Sequence, residues 1–587
     1  MRTFLLTFLG GLAALVVFFV LIPLVLIISF IPSAEPARVN NAVLEVDLRK
    51  GFPDQPATNA VNSIFSGTSF IEVLLRLNAA ADDPAVKGVF VRAAEINLGS
   101  SRAEELRAAF LRLRAKDKFV IAHSQGFLAS GPAAYRAISA ANEIWLQPGT
   151  TFETPGITFE TMFLGSAMEK LKVSPEIEQF YEFKGAADVY KQKGYTAPNA
   201  TAMTALASSV WTHSIADIAQ DRKIAPLTLR ALLEASPYQA QQAADLKLVD
   251  RLGYPDEAAA AAEKRAGAKL IAIDDYEPPL RGGRAVIAVV GGEGDIITGG
   301  GRPVDVLSLG SPEFASDRIA KQLLDIAEDK TINAVVFRVD SGGGSAIASD
   351  QIWSAVKKVQ ASGKKVVVSM GSMAASGGYY VAASADAIIA NRSTITGSIG
   401  VFGGKFAIAD GLRQFGINPD SVSVGGEFAS AYSTEKLTPA QRTKMLEGLQ
   451  ATYDRFTGLV AEGRKLPLQK VQEVARGRVW SGEDALKNGL VDKTGDFIAA
   501  LNEARALAGF KPEDRMDIRL NIHRPTPLEL LASTMMKSKA SGATEAQIAE
   551  VLGAVVGRKR AQLVIGELKQ LGEPAGVRLW SPPVVER

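Results

Sequence analysis

The stretch that decides the fold begins with Asn333-Ala-Val-Val-Phe-Arg338, continues through a helical pattern near 348–360, and ends with Lys365-Val-Val-Val-Ser369. Short β-branched runs on both sides of an amphipathic stretch are typical of a βαβ unit with buried parallel strands. The same rhythm occurs earlier, where Lys87-Gly-Val-Phe-Val-Arg92 and Phe119-Val-Ile-Ala122 flank a second helical pattern. The sequence therefore predicts an α/β fold in which one βαβ arrangement is used twice.

Residues of the earlier half match residues of the later half at a nearly constant spacing. The matched pairs include Arg92 with Arg338 at an offset of 246, Gly126, Tyr135 and Phe183 with Gly371, Tyr380 and Phe428 at 245, and Thr201, Arg222 and Asp250 with Thr443, Arg464 and Asp492 at 242. Such regular spacing over so long a stretch indicates an internal duplication.

Four regions follow from the duplication and from local composition. Residues 1–37 are predicted to form an N-terminal membrane anchor, 38–280 the first repeat, 285–510 the second repeat, and 511–587 a C-terminal extension. The segment Tyr276-Glu-Pro-Pro-Leu-Arg-Gly-Gly-Arg284 has the Pro and Gly content of a linker. The extension includes a helical pattern over 545–571 and carries no motif that indicates a chemistry.

The N-terminal segment is apolar enough to cross a bilayer as a helix. Phe4 to Ile31 contains no charged residue, and Arg2 precedes it; about 20 apolar residues suffice for a transmembrane helix. The residues Pro-Ser-Ala-Glu that follow lack the Ala-x-Ala-like site of a cleaved signal, which is the alternative interpretation. We therefore expect a retained single-pass anchor with its N-terminus in the cytoplasm and the rest of the chain on the opposite side.

Composition limits the classes of protein that this chain can be. It has 587 residues, 47% of them hydrophobic, with 65 basic and 63 acidic side chains and no cysteine. Such a chain is too long for one core and too apolar for disorder, which predicts several ordered domains. Because the basic and acidic side chains are nearly equal in number, the composition gives no excess of positive charge that would indicate nucleic-acid binding. Without a thiol, disulfides, Cys-ligated zinc, Fe–S clusters and a cysteine nucleophile are excluded.

Three glycine-containing turns in the later half carry the candidate chemistry: Asp340-Ser-Gly-Gly-Gly-Ser345, Ala374-Ala-Ser-Gly-Gly378 and Thr396-Gly-Ser-Ile-Gly400. The first lets backbone N–H groups approach a ligand closely, but it lacks the spacing of a phosphate-binding loop. The second is close to a nucleophile elbow, which would lift the Ser376 hydroxyl at a helix N-terminus. Taken singly, each is also explained as a plain turn or a helix cap. Together they indicate one active site.

These turns, together with Gly477-Arg-Val-Trp-Ser-Gly482, resemble the signal peptide peptidase A family. The duplicated length and the N-terminal anchor resemble its long form, the protease IV type, and the resemblance covers about residues 40–510. It implies the Clp protease/crotonase superfamily fold and a serine peptidase with a Ser/Lys dyad. It also implies a homotetramer on the outer face of the inner (cytoplasmic) membrane that degrades signal-peptide remnants and other apolar peptides. One departure is that the usual Asn-Ser-Pro-Gly-Gly-Ser has Asp340 and Gly342 in place of its asparagine and proline.

The repeat divides the dyad between the two halves. Carried back by 245, Ser376 falls on Gly131, so the first half has no nucleophile at that turn. Carried forward by the same offset, Lys184 falls on Ala429, so the second half has no lysine there. Each half is therefore expected to supply one member of the dyad, which is the division that the long form of the resembling family shows.

Histidine gives a check on this interpretation, because a Ser-His-Asp triad needs one. The histidines of the chain are His123, His213 and His523, and none of them has a triad-like sequence context. A neutral lysine amine can take the place of imidazole as the base in Ser-Lys enzymes. No cluster with zinc or calcium spacing is present in the sequence either, so we expect neither a metal nor a cofactor.

We expect Ser376 to be the nucleophile and Lys184 the general base and acid. The backbone N–H groups of Gly343 and Gly377 are expected to form the oxyanion hole, with Gly344 as the alternative to Gly343. The resemblance implies that Ser398 orients the lysine. Two other functions are weighed against the peptidase. A crotonase-like acyl-CoA enzyme would leave Ser376 and Lys184 unexplained. A catalytically inactive membrane scaffold has only the substitutions at Asp340 and Gly342 in its favour.

Overall fold

The computed structural model describes residues 41–56, 67–95, 98–128, 131–279, 282–301, 313–520, 578–580 and 585–586. The predicted anchor at 1–37 and the helical pattern at 545–571 lie outside these residues. No helix in the described ranges combines the length and the hydropathy that crossing a membrane requires. Below, the first half means the described residues up to 279, and the second half means those from 282 to 520.

The first half contains strands β1 to β10 and helices α1 to α9. The strands are Ala42–Asp47, Val86–Arg92, Phe119–Ser124, Glu143–Leu146, Thr151–Phe152, Phe159–Glu160, Ser174–Phe180, Tyr238–Gln239, Arg251–Leu252 and Lys269–Ala272. The helices are Phe70–Asp82, Ser100–Arg114, Ala133–Ile138, Gly165–Lys170, Asp188–Lys191, Ala197–Arg222, Pro226–Glu234, Ala240–Asp245 and Pro255–Ala266, with 3₁₀ turns at Leu48–Lys50 and Ile273–Asp275.

The second half and the C-terminal segment contain strands β11 to β24 and helices α10 to α17. The strands are Ala285–Glu293, Asp295–Ile297, Glu313–Ala315, Ala334–Ser341, Gly343–Ser345, Lys365–Ala375, Ala387–Ala390, Ile395–Gly397, Val401–Ala407, Val479–Ser481, Lys493–Thr494, Met516–Leu520, Arg578–Trp580 and Val585–Glu586. The helices are Ser316–Glu328, Ala346–Ala361, Gly377–Ala382, Ala409–Gln414, Pro439–Arg464, Leu468–Val474, Gly482–Lys487 and Phe497–Leu507, with a 3₁₀ turn at Glu427–Ser430.

Each half is built on a largely parallel sheet. The first sheet has the order β10-β1-β2-β3-β4-β9 with every neighbour parallel. The second has the order β20-β18-β16-β14-β11-β22, in which β20 alone is antiparallel to its neighbour, and β17 also pairs with β16. Buried Val, Ile, Leu and Phe side chains of the central strands form the cores. The predicted α/β fold with parallel βαβ units is confirmed.

The internal duplication is visible in matching elements. Helices α6 and α14 are both 26 residues long, both begin after a capping threonine, and both end before a lysine with positive φ. At their C-terminal ends, Arg222 donates to Asp250 and Arg464 donates to Asp492. These pairs keep the predicted offset of 242.

The predicted match of Tyr135 with Tyr380 is wrong by one residue. Tyr135 Oη donates to the carbonyl of Leu248 at 2.6 Å, and Tyr379 Oη donates to that of Leu490 at 2.8 Å. Tyr135 therefore corresponds to Tyr379, at an offset of 244, and not to Tyr380. The tandem tyrosines of the second half allow either match by identity, and the hydrogen bond decides between them.

The same correction changes the counterpart of the predicted nucleophile. At an offset of 244, Ser376 corresponds to Pro132, and these two residues are the N-caps of α12 and α3. The predicted counterpart, Gly131, lies one residue earlier. The first half still has no hydroxyl at this turn.

A third sheet joins the two halves and includes the C-terminal segment. Its order is β13-β12-β15-β23-β19-β7. Strand β7, from the first half, lies antiparallel to β19, from the second half, along its whole length, from Ser174 opposite Ala407 to Phe180 opposite Val401. This pairing brings the segment after β7 to the second half.

Buried arginines link the halves elsewhere. Arg338 on β14 has no exposed surface and donates to Asp54 at 2.7 Å and to Glu105 at 2.8 Å, both of which belong to the first half. In the other direction, Arg136 of the first half donates to Ser393 Oγ of the second half at 2.8 Å. Since a buried charge is costly unless it is paired, these contacts hold the two halves in one arrangement.

Candidate active site

Ser376 lies at a sharp turn between β16 and α12. Its backbone has φ 54° and ψ −114°, an unusual conformation for a residue with a side chain. Its N–H donates to the carbonyl of Gly397 at 2.8 Å, which holds the turn against the end of β18. The turn has the geometry of a nucleophile elbow, as the sequence predicts, and it directs the hydroxyl away from the strand.

Lys184 comes from the first half and follows β7 by four residues. Its Nζ is 2.7 Å from Ser376 Oγ, 2.9 Å from the carbonyl oxygen of Ser398 and 3.0 Å from Ser398 Oγ. The structure thus brings together the three side chains that sequence reasoning singled out as nucleophile, base and orienting residue, from two halves of the chain.

Burial favours the neutral form of the lysine amine. Lys184 has no exposed surface, and this burial lowers the pKa of its amine well below the ordinary value of a lysine. A neutral amine has a lone pair, so at 2.7 Å it can accept the proton of the Ser376 hydroxyl. The two oxygens of Ser398 accept the N–H bonds of the amine and direct that lone pair.

The segment after α15 holds the lysine and the orienting serine together. Arg476 accepts the N–H of Phe183 with its carbonyl at 3.3 Å, and Arg478 accepts the N–H of Ser398 at 2.7 Å. Between them, Gly477 has φ +80°, and a Cβ on it would lie 2.6 Å from the Cβ of Lys184. Sequence reasoning used this segment only as part of a resemblance. Its contact with Lys184 joins residues far apart in the chain, and no local signal predicts it.

The glycines predicted to form the oxyanion hole lie at the start of α12 and in β15. Gly377 is the first residue of α12, where N–H groups have no partner within the helix. Gly343 has φ 109° and belongs to β15, and its N–H donates to Ser341 Oγ at 3.0 Å. Gly344 has φ 154°, and a Cβ on it would lie 2.1 Å from the carbonyl oxygen of Ile296, so a side chain is excluded there.

Comparison with known proteins bears directly on this arrangement. The profile of Peptidase family S49 matches residues 112–269 and 358–511. The chain belongs to peptidase family S49. It is a serine peptidase, and the two matched ranges fall in the two halves that supply Lys184 and Ser376.

Individual S49 relatives match most of the chain. The chain is 30% identical over 540 residues to Protease 4 of Haemophilus influenzae, a match that covers 87% of this chain and 85% of the relative. It is 28% identical over 501 residues to the chloroplastic serine protease SPPA of Arabidopsis thaliana, covering 83% and 72%. Among solved structures, a ClpP1 mutant of Listeria monocytogenes is 16% identical with a TM-score of 0.23, covering 36% of this chain and 94% of the other.

In this S49 peptidase, the loop 340–345, which contains the predicted oxyanion residue Gly343, carries a carboxylate at Asp340. Asp340 Oδ1 accepts the N–H of Met373 at 2.9 Å, and Asp340 Oδ2 is 3.6 Å from Arg102 Nη2. Burial, followed by the charge of Asp54, raises the pKa of Asp340. Glu293 also contacts Arg102, at 3.5 Å, and burial and the neighbouring carboxylates raise the pKa of Glu293 to about 7.

The other candidate bases of this S49 peptidase lie in different surroundings. His123 is buried on β3, where its Nε2 is 3.0 Å from the carbonyl oxygen of Gly253. His213 lies on α6, and His523 lies outside the described residues. Lys191 donates to the carbonyl of Ile177 at 3.0 Å. In the described part of the chain, no three His, Cys, Asp or Glu side chains are arranged to hold a metal ion.

Proposed function

We propose that this chain is a membrane-anchored serine endopeptidase with a Ser/Lys dyad that degrades signal-peptide remnants after signal peptidase has released them. The observation that carries the proposal is the 2.7 Å contact between Lys184 Nζ and Ser376 Oγ in a site that solvent does not reach. We assign the two halves to Clp/crotonase-like repeats, each of which supplies one member of the dyad.

The geometry supports the following reaction. Ser376 Oγ attacks the peptide carbonyl while Lys184 takes the hydroxyl proton, and the lysine then gives this proton to the leaving amine. The N–H of Gly377, with that of Gly343 or Gly344, stabilises the developing oxyanion. The neutral Lys184 then takes a proton from a water, which attacks the acyl-enzyme, and the lysine returns that proton to Ser376 Oγ as the ester bond breaks. Ser398 keeps the amine directed at the hydroxyl throughout.

The membrane location and the assembly are parts of the same proposal. The apolar segment Phe4 to Ile31 supports an anchor in the inner membrane, with the catalytic body on the extracytoplasmic side. In the second half, the loop 415–424 exposes Phe415, Val422 and Val424 by 77%, 95% and 92%. Exposed apolar side chains in one segment favour a contact with another copy of the chain in a homotetramer, or a contact with the membrane. Apolar peptides are the expected partners.

Two alternatives lose support from the site. A crotonase-like acyl-CoA enzyme needs only the glycine N–H groups, so a lysine amine held against a serine hydroxyl at a strained turn would have no role. An inactive scaffold has no need for Lys184. Its amine is buried against Ser376 and Ser398, neither of which is acidic, and burying it in this way costs stability.

Labelling and mutation test the proposal together. A serine-directed fluorophosphonate should modify one site, Ser376, and Ser376→Ala and Lys184→Ala should each abolish both labelling and hydrolysis of an apolar peptide. Because nucleophile and base act as a unit, the double variant should be little worse than either single variant. The melting temperatures of the variants must not fall below that of wild type for this result to count. Activity in Lys184→Ala would instead direct attention to Lys191 or Lys193 as the base.

A further inference from the structure

A basic cavity lies at one edge of the first sheet. It has a volume of about 690 Å³ and is bordered by the C-terminal ends of α2 and α9. Its lining includes four cationic side chains and one carboxylate, which are Lys87, Arg114, Lys118, Arg265 and Asp117. None of the residues that line it belongs to the proposed active site, so the peptidase reaction gives this excess of positive charge no role.

Three of the four cations are held in place by carbonyl oxygens, which carry no net charge. The bonds are those of Lys118 Nζ to the carbonyls of Asp83 and Val86 at 2.9 and 2.6 Å, of Lys87 Nζ to Pro84 at 3.0 Å, and of Arg114 Nη1 to Ala140 at 2.7 Å. Among the described residues, none of these three cations forms an ion pair within 4 Å, whereas Arg265 pairs with Glu143 at 3.5 Å. The cavity therefore fixes positive charge without neutralising it.

The two lysines of the cavity repel each other. Burial and the charge of Lys87 lower the pKa of Lys118, although the carboxylates of Asp83 and Asp82 act in the opposite direction. Asp82 is itself paired with Lys116 at 2.8 Å. An anion bound between the two lysines would offset this repulsion, because an opposite charge nearby favours the protonated amine.

The donors of the cavity suit a phosphate group. An ammonium group has three donors, and Lys118 uses two of them for carbonyls, so one remains for a ligand. Arg114 uses Nη1 for a carbonyl, and its remaining N–H groups offer the paired donors that phosphate oxygens accept. The ring of Phe119, with the guanidinium of Arg265 at 4.8 Å from its centroid, gives the cavity an apolar wall.

The cavity lies at the edge of the sheet where the chain arrives from its N-terminal segment. Strands β1, β2 and β3 are parallel, so their N-terminal ends share this edge, with Ala42 on β1 opposite Val86 on β2. Lys87 is the second residue of β2, and Lys118 directly precedes β3. Ten residues separate Ala42 from Ile31, the end of the apolar run, and they can span at most about 40 Å. The proposed anchor therefore keeps this edge near the bilayer surface.

We propose that this cavity binds the phosphate-bearing headgroup of an anionic phospholipid in the bilayer that the N-terminal segment enters. The inference rests on the membrane location in the proposed function and does not depend on the dyad. Lys and Arg clusters close to a membrane-spanning segment are attracted to anionic lipids, and each charge near the surface adds to the binding. A bound headgroup would hold the first half against the bilayer in one orientation.

Lysine footprinting of the full-length protein tests this, because two residues of the cavity are themselves lysines. Wild type is placed in nanodiscs of phosphatidylcholine alone or of equal parts of phosphatidylcholine and phosphatidylglycerol, and an amine-reactive ester acetylates its accessible lysines. By peptide mass spectrometry, Lys87 and Lys118 should react about fivefold more slowly in the anionic discs. Lys223 and Lys358 are exposed outside the cavity, and as internal controls they should react equally in both.

Salt and substitution show whether charge causes the protection. At about 1 M salt, where the screening length is about 3 Å, the protection should disappear. Arg114→Gln removes one charge from the cavity and keeps both reporting lysines, so it should lose most of the protection. Lys358→Gln is the matched control, because it removes a charge outside the cavity and should keep the protection. Both variants should retain fluorophosphonate labelling of Ser376.

The outcomes separate this proposal from the peptidase. Equal rates for Lys87 and Lys118 in the two kinds of disc would overturn the headgroup site and leave the peptidase intact. Protection by millimolar inorganic phosphate, with none from phosphatidylglycerol, would show that the cavity takes a soluble phosphate compound and would also overturn the proposal. A chain that does not enter the discs contradicts the anchor and this inference together. Absence of Ser376 labelling in wild type would contradict the dyad alone.

Discussion

At the scale of single residues, Gly477 determines where the lysine amine lies. A Cβ at this position would meet the Cβ, N and Cα of Lys184 at 2.6–2.7 Å, and φ is +80°. Gly477→Ala should therefore displace Lys184 and lower kcat by roughly 100-fold, since about 1 Å of misplacement at a reacting group has an effect of that size. Steady-state kinetics with the apolar peptide measure this.

Gly363→Ala is the matched control for that variant. Gly363 also has positive φ, +88°, but its Cβ would have nothing within 4 Å. Both variants carry the backbone strain of an alanine in this conformation, whereas only Gly477→Ala moves the lysine. If Gly363→Ala loses as much activity as Gly477→Ala, the loss comes from strain and the assigned contact is not its cause.

The protonation of Lys184 gives the enzyme a defined pH dependence. Burial lowers the pKa of this amine well below that of an ordinary lysine, and only the neutral form accepts a proton. The kcat/KM should therefore rise with pH through the folded pKa of Lys184 and decline below it. His123→Ala should keep this rising limb, because its ring contacts Gly253 and not the dyad.

Lys184→Arg completes this measurement. A guanidinium stays protonated at every accessible pH, so the variant should be inactive throughout the profile. Activity in Lys184→Arg, combined with loss of the rising limb in His123→Ala, would show that a histidine is the base.

At the scale of secondary-structure elements, the loop 340–345 is held to strand β16 by the carboxylate of Asp340. Asp340 accepts the N–H of Met373 at 2.9 Å, and an amide oxygen can accept the same bond. When Asp340 is ionised, the three carboxylates of Asp54, Glu293 and Asp340 outnumber the two guanidinium groups of Arg102 and Arg338. An asparagine at position 340 should keep the hydrogen bond from Met373 and remove the repulsion between the carboxylates.

We therefore expect Asp340→Asn to retain activity and to be more stable than wild type at pH 8. The folded-state pKa of Asp340 is raised, so its ionisation costs stability as pH rises above the unfolded value, and the difference should shrink toward pH 4. A gain of about 1 kcal/mol would raise Tm by roughly 1 °C if the two halves unfold together, because the entropy of unfolding grows with the number of residues. Asp325→Asn, at an exposed site paired with Lys321, is the control. A lower Tm at pH 8 would mean that Arg102 requires the charge of Asp340.

Much of the fold could be predicted from the sequence because it rests on local periodicity. The predicted strand over 333–338 and the helical pattern over 348–360 correspond to Ala334–Ser341 and Ala346–Ala361. The serine turn and the lysine could be singled out because each half lacks one of them. The offset of 245 at α12 was off by one residue, since identity alone cannot choose between adjacent tyrosines.

The parts that could not be predicted depend on pairing between distant segments. Strand β7 does not follow the βαβ rhythm, and its role comes from its pairing with β19. The placement of β23 beside Gly343 depends on backbone hydrogen bonds, which most sequences can form and which leave no pattern in the residues. The contact of Gly477 with Lys184 is of the same kind.

At the scale of the whole molecule, each half supplies one member of the proposed dyad. The dyad joins Lys184 of the first half to Ser376 of the second, and buried Arg338 pairs with acidic residues of the opposite half. Neither half contains a complete site. Both members of the proposed dyad belong to the same chain, so this pair forms without a second copy of the protein.

A variant that prevents the proposed tetramer should therefore keep its activity. The loop 415–424 is the place to introduce such a variant. Val422 and Val424 are 95% and 92% exposed. Charges there should prevent the burial of these side chains against another chain. The double variant Val422→Glu/Val424→Glu of the detergent-solubilised protein should fall from a mass near four times 62.3 kDa to that of one chain, by light scattering.

The same variant should keep its kcat per chain, because the loop contributes no residue to the dyad. Leu227→Glu is the matched control, since Leu227 is 83% exposed on α7 of the first half and should leave the mass unchanged. An unchanged mass in the double variant would show that this loop is not the contact between copies, and vesicle binding would then be measured. A lost kcat at unchanged Tm would instead show that a neighbouring copy helps to form each active site.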